Sequence, residues 1–134
     1  MNTTDLLSII KDCAFEVRKE LAPGYLESIY NKALAIELRS HGLNIEEESP
    51  IRVNYKGYHV GDFRADIIVE GKVIIELKAI SELNKSHHIQ LVNYLTATRI
   101  DDGFLINYGA EDYRIIHKIR LFDRSYRSKN QVQE

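Results

Sequence analysis

Residues 63–79 read Phe-Arg-Ala-Asp-Ile-Ile-Val-Glu-Gly-Lys-Val-Ile-Ile-Glu-Leu-Lys-Ala. Two apolar, β-branched runs flank a turn sequence at residues 70–72, which is the pattern of a β-hairpin. Asp66 lies in the first run, and Glu76 and Lys78 lie in the second. Side chains two residues apart point to the same face of a strand, so Glu76 and Lys78 stand side by side. A charged pair in so apolar a strand is costly to bury.

The length of the turn decides whether Asp66 joins that pair. A three-residue loop places Asp66 on the same face as Glu76 and Lys78. A two-residue loop places it on the opposite face, because a slip of one residue turns every side chain over. Gly71 can adopt the left-handed conformation that a three-residue loop with a bulge requires. We therefore predict the three-residue loop and a single acidic cluster.

Length and composition favour one globular domain that covers residues 1–134. The chain is 44% apolar, which is ordinary for a soluble protein, and no apolar run is long enough to cross a bilayer. The first residues lack the basic and apolar segments of a secretory signal. Cys13 is the only cysteine, which excludes an internal disulfide and a cysteine-based metal site and favours the cytoplasm. Because Cys13 lies in an apolar helical stripe, we interpret it as a core residue.

Charge is distributed unevenly along the chain. The net charge is −2, but residues 113–134 hold 6 Lys/Arg against 2 Asp/Glu, whereas residues 1–112 hold 12 against 18. A basic end beside an acidic body fits a phosphate-binding rim next to a metal centre. A solvated tail is the equally weighted alternative.

The order of predicted elements indicates an α/β fold. A strand–helix–strand step over residues 73–108 indicates a right-handed crossover and a locally parallel strand pair. We therefore predict a mixed β-sheet flanked by α-helices, with a domain core at about 21–122 and a polar tail at 123–134. The predicted elements are a helix ending at Pro23-Gly24, a helix from about Tyr25 to His41, strands and turns over 43–60, the hairpin, a helix from about Lys85 to Arg99, and strands at 103–108 and 113–122.

Apolar residues at helical spacing predict which helix faces are buried. In the second helix the predicted buried residues are Leu26, Ile29, Ala33, Leu34 and Leu38. In the third helix they are Ile89, Leu91, Val92 and Leu95. Thr3 or Thr4 is predicted to cap the first helix.

Asp66 and Glu76 carry hard oxygen ligands that suit Mg²⁺ or Mn²⁺. Lys78 can stabilise charge developing on a phosphate or position an attacking water. Glu27, at the start of the second helix, and Gln90, on the third, can complete the site. Such a set suits hydrolysis of a phosphodiester bond with a bound metal.

Simpler interpretations exist for each of these residues. Glu76 and Lys78 alone can form an ordinary ion pair, and Glu27 can be a partner of the helix dipole. His87 and His88 are expected at an exposed helix start, where His87 approaches a phosphate and His88 faces solvent. A purely structural role for the carboxylates is a further alternative.

The sequence also resembles a known family. Ala65-Asp66 followed by Glu76-Leu77-Lys78 looks like the PD-(D/E)xK nuclease superfamily, with Ala65 where the family has proline. Gln90-Leu-Val-Asn-Tyr94 resembles the Q-x-x-x-Y motif of its RecB-like branch. Gly24-Tyr-Leu-Glu27-Ser-Ile-Tyr30 matches the G-x-x-E-x-x-Y signature of a small bacterial and archaeal family in that superfamily. The resemblance runs from about Leu21 to Arg120.

This resemblance implies a restriction-endonuclease-like core and a metal-dependent nuclease. It implies that Asp66, Glu76, the Leu77 carbonyl and Glu27 approach Mg²⁺ or Mn²⁺, and that Lys78 is catalytic. Gln90 and Tyr94 would orient the metal water or contact the scissile phosphate. Tyr30 would support Glu27 beside the site.

Two functions of different classes therefore remain open at this stage. The first is a nuclease that acts on nucleic acid, DNA rather than RNA, without membrane association. The second is a catalytically silent or partner-dependent module that binds nucleic acid or protein on the same fold. The exposed sheet edges expected of this fold make a homodimer or a partner protein a further expectation.

Overall fold

The computed structural model describes residues 1–120, which form three helices and one five-stranded sheet. The strand order is β1-β2-β3-β4-β5, with β3 and β4 parallel and the other neighbours antiparallel. The predicted mixed sheet with flanking helices is thus confirmed. The elements are α1 (Thr3–Glu20), α2 (Glu27–Ser40), β1 (Ile45–Tyr55), β2 (Tyr58–Val69), β3 (Val73–Lys78), α3 (Lys85–Thr98), β4 (Asp102–Tyr108) and β5 (Tyr113–Ile119).

Helices cover both faces of the sheet, and each face has its own apolar cluster. Alternate residues of β3 divide between them: Val73, Ile75 and Leu77 pack against α1 and α2, whereas Ile74 packs against α3. Burial on both faces explains why β3 is apolar almost throughout. Glu76 is the exception, a carboxylate only 5% exposed within this buried strand.

The hairpin of β2 and β3 has the predicted three-residue loop. Val69 pairs with Val73 and Ile67 pairs with Ile75, which leaves residues 70–72 to form the turn. Gly71 has a φ of +62° and Glu70 a φ of +54°. A carboxylate oxygen of Glu70 accepts the backbone N–H of Asn44, which ties this turn to the chain leaving α2.

The hairpin of β1 and β2 extends beyond the rest of the sheet as a two-stranded arm. We call residues 50–64 the arm, because here β1 and β2 pair with each other while the pairing of β2 with β3 is confined to residues 67–69. Lys56 and Gly57, both at positive φ, form a two-residue turn at its end. β1 is an edge strand, and Glu46, Glu47 and Glu48 are exposed along it.

The predicted helix faces are partly wrong. In α2 the residues Leu26 and Ile29 are 74% and 40% exposed, while Tyr30 is fully buried with Leu34 and Leu38. Two apolar stripes lie on this helix, and local periodicity cannot tell which one meets the sheet. In α3, Leu91 and Leu95 are buried but Ile89 is 51% exposed.

The start of α1 also differs from the prediction. Asn2, rather than Thr3 or Thr4, caps the helix, and its side-chain oxygen accepts the Asp5 N–H at 2.8 Å. Asparagine caps helices at least as well as threonine, so a cap one residue earlier than predicted is chemically favourable.

The strands expected near the end of the chain are present as β4 and β5, and β5 ends at Ile119 within the described part. Leu121, Phe122 and the predicted polar tail lie outside the described residues. No helix within residues 1–120 combines the length and hydrophobicity needed to cross a membrane.

Cys13 lies in the core, as predicted, and we expect its thiol to be unreactive. It is fully buried, and burial raises its pKa to about 11, with Glu37 and Asp12 adding to the effect. Because the thiolate is the reactive species, a chromogenic disulfide reagent should modify native protein slowly and unfolded protein completely. Rapid stoichiometric labelling of the native protein would contradict this burial.

Candidate active site

The site lies where the ladder between β2 and β3 ends. Beyond the Ile67–Ile75 pair, two carboxylates take the place of backbone acceptors. The Asp66 N–H donates to Glu76 Oε1 at 3.1 Å, and the Leu77 N–H donates to Asp66 Oδ2 at 2.8 Å. These two bonds hold the carboxyl groups of Asp66 and Glu76 at the same point between the strands.

The alternation of β2 side chains between the two faces of the sheet is interrupted at Asp66. Ala65 packs in the cluster below α3, whereas Ile67 packs in the cluster below α1 and α2. Residues two apart share a face in a regular strand, so the strand is irregular between Ala65 and Ile67. On the neighbouring strand, Glu48 has a φ of +49° at the matching level. Asp66 therefore also meets α2, where the side chain of Asn31 hydrogen-bonds to it.

Glu27 approaches the same point from the first residue of α2. A buried tyrosine fixes this helix start: the Tyr30 hydroxyl donates to the Ala22 carbonyl at 2.7 Å and accepts the Tyr25 N–H at 3.2 Å. The Tyr30 ring also stacks on Tyr108, with centroids 4.9 Å apart. Burial raises the pKa of Glu27, with a further contribution from Asp66, while Lys78 lowers it.

The carboxylates are strongly perturbed by burial and by one another. Burial raises the pKa of Glu76 to about 8, and the charge of Asp66 adds to the shift. Burial also raises the pKa of Asp66, which the Leu77 N–H, Lys78 and Asn31 oppose. With all groups ionised, three carboxylates face one ammonium group, which leaves an excess of negative charge in a half-buried site.

α3 contributes a tyrosine and a glutamine from the other side. Gln90 Nε2 donates to the Tyr94 hydroxyl at 2.9 Å, which pairs two residues four apart on this helix. Burial raises the pKa of Tyr94, and the charge of Glu76 acts in the same direction. The Tyr94 ring stacks on Phe63 of the arm, with centroids 3.7 Å apart.

The structure thus brings Asp66, Glu76, Glu27 and Lys78 within electrostatic reach of one another, with Gln90 and Tyr94 beside them. The same contacts bring the backbone of Leu77 to Asp66. Comparisons with known proteins show to which family a chain with this arrangement belongs. The model of the PD-(D/E)XK nuclease superfamily matches residues 4–119. The chain belongs to the PD-(D/E)XK nuclease superfamily.

A solved structure agrees with this assignment. The crystal structure of SSO0001 is 25% identical to this chain, with a TM-score of 0.56 over 69% of this chain and 48% of that one. This PD-(D/E)XK chain therefore spans about half the length of SSO0001. No curated protein matches the chain significantly.

The chemistry of the PD-(D/E)XK donor set fits a divalent cation. Within residues 1–120, no three histidine, cysteine or acidic side chains already stand in a metal-binding arrangement. The mutual repulsion of Asp66, Glu76 and Glu27 is nevertheless what a hard cation relieves, and carboxylate oxygens are its preferred ligands. Asn31 Oδ1 is buried in this region without a hydrogen-bond partner in the described part, so it offers a further acceptor.

Tyr30, the residue expected to support Glu27, is fully buried and acts through the start of α2. His87, which was predicted to approach a phosphate, has a different role. His87 Nδ1 accepts the Asn84 N–H at 3.0 Å and completes a capping box at the start of α3. His88, expected to face solvent, is half-buried, and burial and Lys118 lower its pKa.

An acidic cavity beside Asp66 contains residues that the sequence analysis missed. Its volume is about 530 Å³, and it is lined by Glu27, Ser28, Asn31, Lys32, Glu47, Glu48 and Asp66. Asn31 follows Glu27 by four residues, so helical spacing alone could have suggested it. Glu48 could not be found in this way, because its approach depends on the pairing of β1 with β2.

A buried asparagine, which the sequence analysis also did not identify, holds the segment that follows Lys78. Asn107 is fully buried, and its side chain accepts the Ile80 N–H at 3.0 Å and donates to the Ile80 carbonyl at 3.0 Å. The same side chain accepts the Gly109 N–H at 3.1 Å. The ends of β3 and β4 are thereby fixed together next to the site.

We expect Gly109→Ala to destabilise the protein strongly, because a Cβ at this position would collide with the Ile80 carbonyl. Gly61→Ala is a suitable control, since a Cβ there meets nothing within 4 Å. Denaturant unfolding should show a loss of about 2 kcal/mol or more for the first variant and a much smaller change for the second. Equal stabilities for the two variants would contradict the packing at Ile80.

We expect Glu76→Gln to stabilise the protein above neutral pH when no divalent cation is present. The folded-state pKa of Glu76 is about 8, above its ordinary value of 4.5. The folded state therefore binds more protons between these values, and stability is lost as the pH rises through them. Glu76→Gln removes this loss, so its melting temperature should exceed that of the wild type by several degrees at about pH 8.

At about pH 5 the wild type and Glu76→Gln should melt at similar temperatures. Glu82→Gln, which changes an exposed carboxylate, should follow the wild type at both values. A pH-independent difference between wild type and Glu76→Gln would show that the effect arises from hydrogen bonding rather than from ionisation.

Proposed function

We propose that this chain is a divalent-metal-dependent nuclease that hydrolyses phosphodiester bonds of nucleic acid, DNA in preference to RNA. The observation that carries the proposal is the exchange at the end of the β2–β3 ladder, where Asp66 and Glu76 each accept a backbone N–H of the opposite strand. This exchange fixes the two carboxylates, and Lys78 lies two residues after Glu76 on the same strand. The superfamily assignment favours the same function.

Asp66, Glu76, the Leu77 carbonyl and Glu27 are the groups we propose to hold Mg²⁺ or Mn²⁺. When bound, such a cation lowers the pKa of a water molecule and offsets charge that develops on the phosphate oxygens. Each of the two bonded carboxylates uses one oxygen for a backbone N–H, which leaves its second oxygen available as a ligand. The bonds to the backbone also fix the orientation of both groups.

The other residues act on the substrate. The Lys78 ammonium group, already attracted by three carboxylates, can neutralise charge at the scissile phosphate. The Tyr94 hydroxyl, held by Gln90, is placed to position a water or a phosphate oxygen. Its raised pKa keeps it protonated, so it serves as a hydrogen-bond donor rather than as a base.

We further infer that the chain belongs to the RecB-like branch and to the G-x-x-E-x-x-Y family. The Gln90–Tyr94 bond supports the first inference, and the role of Tyr30 in fixing the start of α2 supports the second. A single domain over residues 1–134, a cytoplasmic location and a homodimer or partner protein remain predictions from the sequence.

The test is a cleavage assay on single-stranded, duplex and nicked DNA and on RNA, with Mg²⁺, with Mn²⁺ and with a chelator. We expect cleavage to require the metal and to fall about 100-fold or more in Asp66→Asn, Glu76→Gln and Lys78→Met. Glu82→Gln and Lys72→Met are matched controls, because they change exposed residues of the same types outside the site.

Cleavage that survives all three site variants would indicate a contaminating nuclease and refute this assignment of the site. Binding without cleavage under every condition would favour the silent or partner-dependent module. Thermal melting of each variant should accompany the assay, so that loss of activity is separated from loss of folding.

A further inference from the structure

A groove lies between the arm and α3, on the side of the site away from the acidic cavity. Its volume is about 620 Å³. We call it the arm–helix groove, and it is lined by Arg52, Val53, Asn54, Phe63, Asn93, Tyr94, Thr96, Ala97 and Arg99. Among the described residues 1–120, none that lines this groove is acidic.

The arm–helix groove is continuous with the candidate active site. Tyr94 lines the groove, and the same residue accepts a hydrogen bond from Gln90 and lies within electrostatic reach of Glu76. Phe63 and Tyr94 stack on each other, and both line the groove. A strand that occupies the groove therefore passes directly to the carboxylates.

The two cavities that flank the site have opposite charge. In the described part of the chain, the acidic cavity is lined by three glutamates and one aspartate, with Lys32 as the one cation. The arm–helix groove carries the cations Arg52 and Arg99, neither of which forms an ion pair within residues 1–120. A polyanion is thus repelled on one side of the site and attracted on the other.

The arm shares this basic character although the whole chain is acidic. Residues 50–64 contain Arg52, Lys56 and Arg64 against Asp62 alone, while the net charge of the chain is −2. At the end of the arm, Tyr55 and Tyr58 are 60% and 76% exposed. Exposed aromatic rings beside cations are the usual platform for unpaired bases.

We propose that the arm–helix groove binds an unpaired strand of the nucleic acid, next to the phosphodiester bond that enters the site. Arg52 and Arg99 contact its phosphates, and the exposed amides of Asn54 and Asn93 offer hydrogen bonds that do not depend on base sequence. With a volume of about 620 Å³, the groove has room for a few nucleotides of one strand. This inference rests on the proposed nuclease function.

The test measures binding without cleavage. A fluorescent DNA single strand of about 20 nucleotides, the same strand in a duplex, and the matching RNA single strand are titrated with protein in a chelator over a range of salt concentrations. The key variant is Arg52→Gln combined with Arg99→Asn. Asparagine is chosen because residue 99 has a φ of +60°, a conformation that asparagine tolerates well. The matched control is Lys72→Gln combined with Lys85→Gln, two exposed cations outside the groove.

We expect the double arginine variant to bind the DNA single strand about tenfold more weakly and the lysine control to bind it as the wild type does. The slope of log affinity against log salt should fall by about 0.7 for each arginine removed. Equal weakening in both double variants would overturn the proposal, because it would indicate a general charge effect. Tighter binding of the duplex, equally dependent on the two arginines, would overturn the assignment to an unpaired strand.

The cleavage assay separates this inference from the proposed function. If the wild type cleaves DNA through Glu76 and Lys78 while the arginine variant binds and cleaves normally, the groove is excluded and the nuclease remains. If the arginine variant loses binding but the wild type cleaves nothing with either metal, the nuclease is excluded and the groove remains as a binding site. Melting temperatures within a few degrees of the wild type verify that both double variants are folded.

Discussion

The exchange of backbone acceptors for carboxylates at Asp66 and Glu76 is the constraint on which the site depends. A strand ladder that ends inside a protein leaves N–H groups that need partners, because unpaired buried donors are costly. Here the two carboxyl groups supply them, at 3.1 Å and 2.8 Å. The same contacts stabilise the end of the ladder and orient two acidic groups, so folding and site geometry share one set of interactions.

This arrangement stores an electrostatic cost in the core. The raised pKa values of Asp66, Glu76 and Glu27 each have burial as their main cause, and the charge of Asp66 adds to the shifts of Glu76 and Glu27. Lys78 offsets only part of this repulsion. A half-buried cluster with excess negative charge is a poor design for stability and a good one for attracting a cation. The surrounding parts are correspondingly rigid: Tyr30 fixes the start of α2, and Asn107 fixes the segment after Lys78.

Helices on opposite faces of the sheet contribute different residues to the site. α2 brings Glu27 and Asn31 from one face of the sheet, and α3 brings Gln90 and Tyr94 from the other. Both can meet Asp66 and Glu76 because β2 is irregular at Asp66, where Ala65 and Ile67 join different clusters. The stack of Phe63 on Tyr94 joins α3 to the arm, and Tyr94 is shared by the acidic site and the basic groove.

Local periodicity and the parity of a strand predict the hairpin, its three-residue loop, the helix–strand order and the meeting of Asp66 with Glu76. The motifs of the sequence also indicated the Gln90–Tyr94 pair and the support of Glu27 by Tyr30. The folded structure was needed to show which of two apolar stripes of α2 is buried, that His87 caps α3, and that Glu48, Asn107 and Arg52 border or support the site. Those outcomes depend on the irregularity of β2 and on contacts between distant segments, and neither is encoded in the spacing of neighbouring residues.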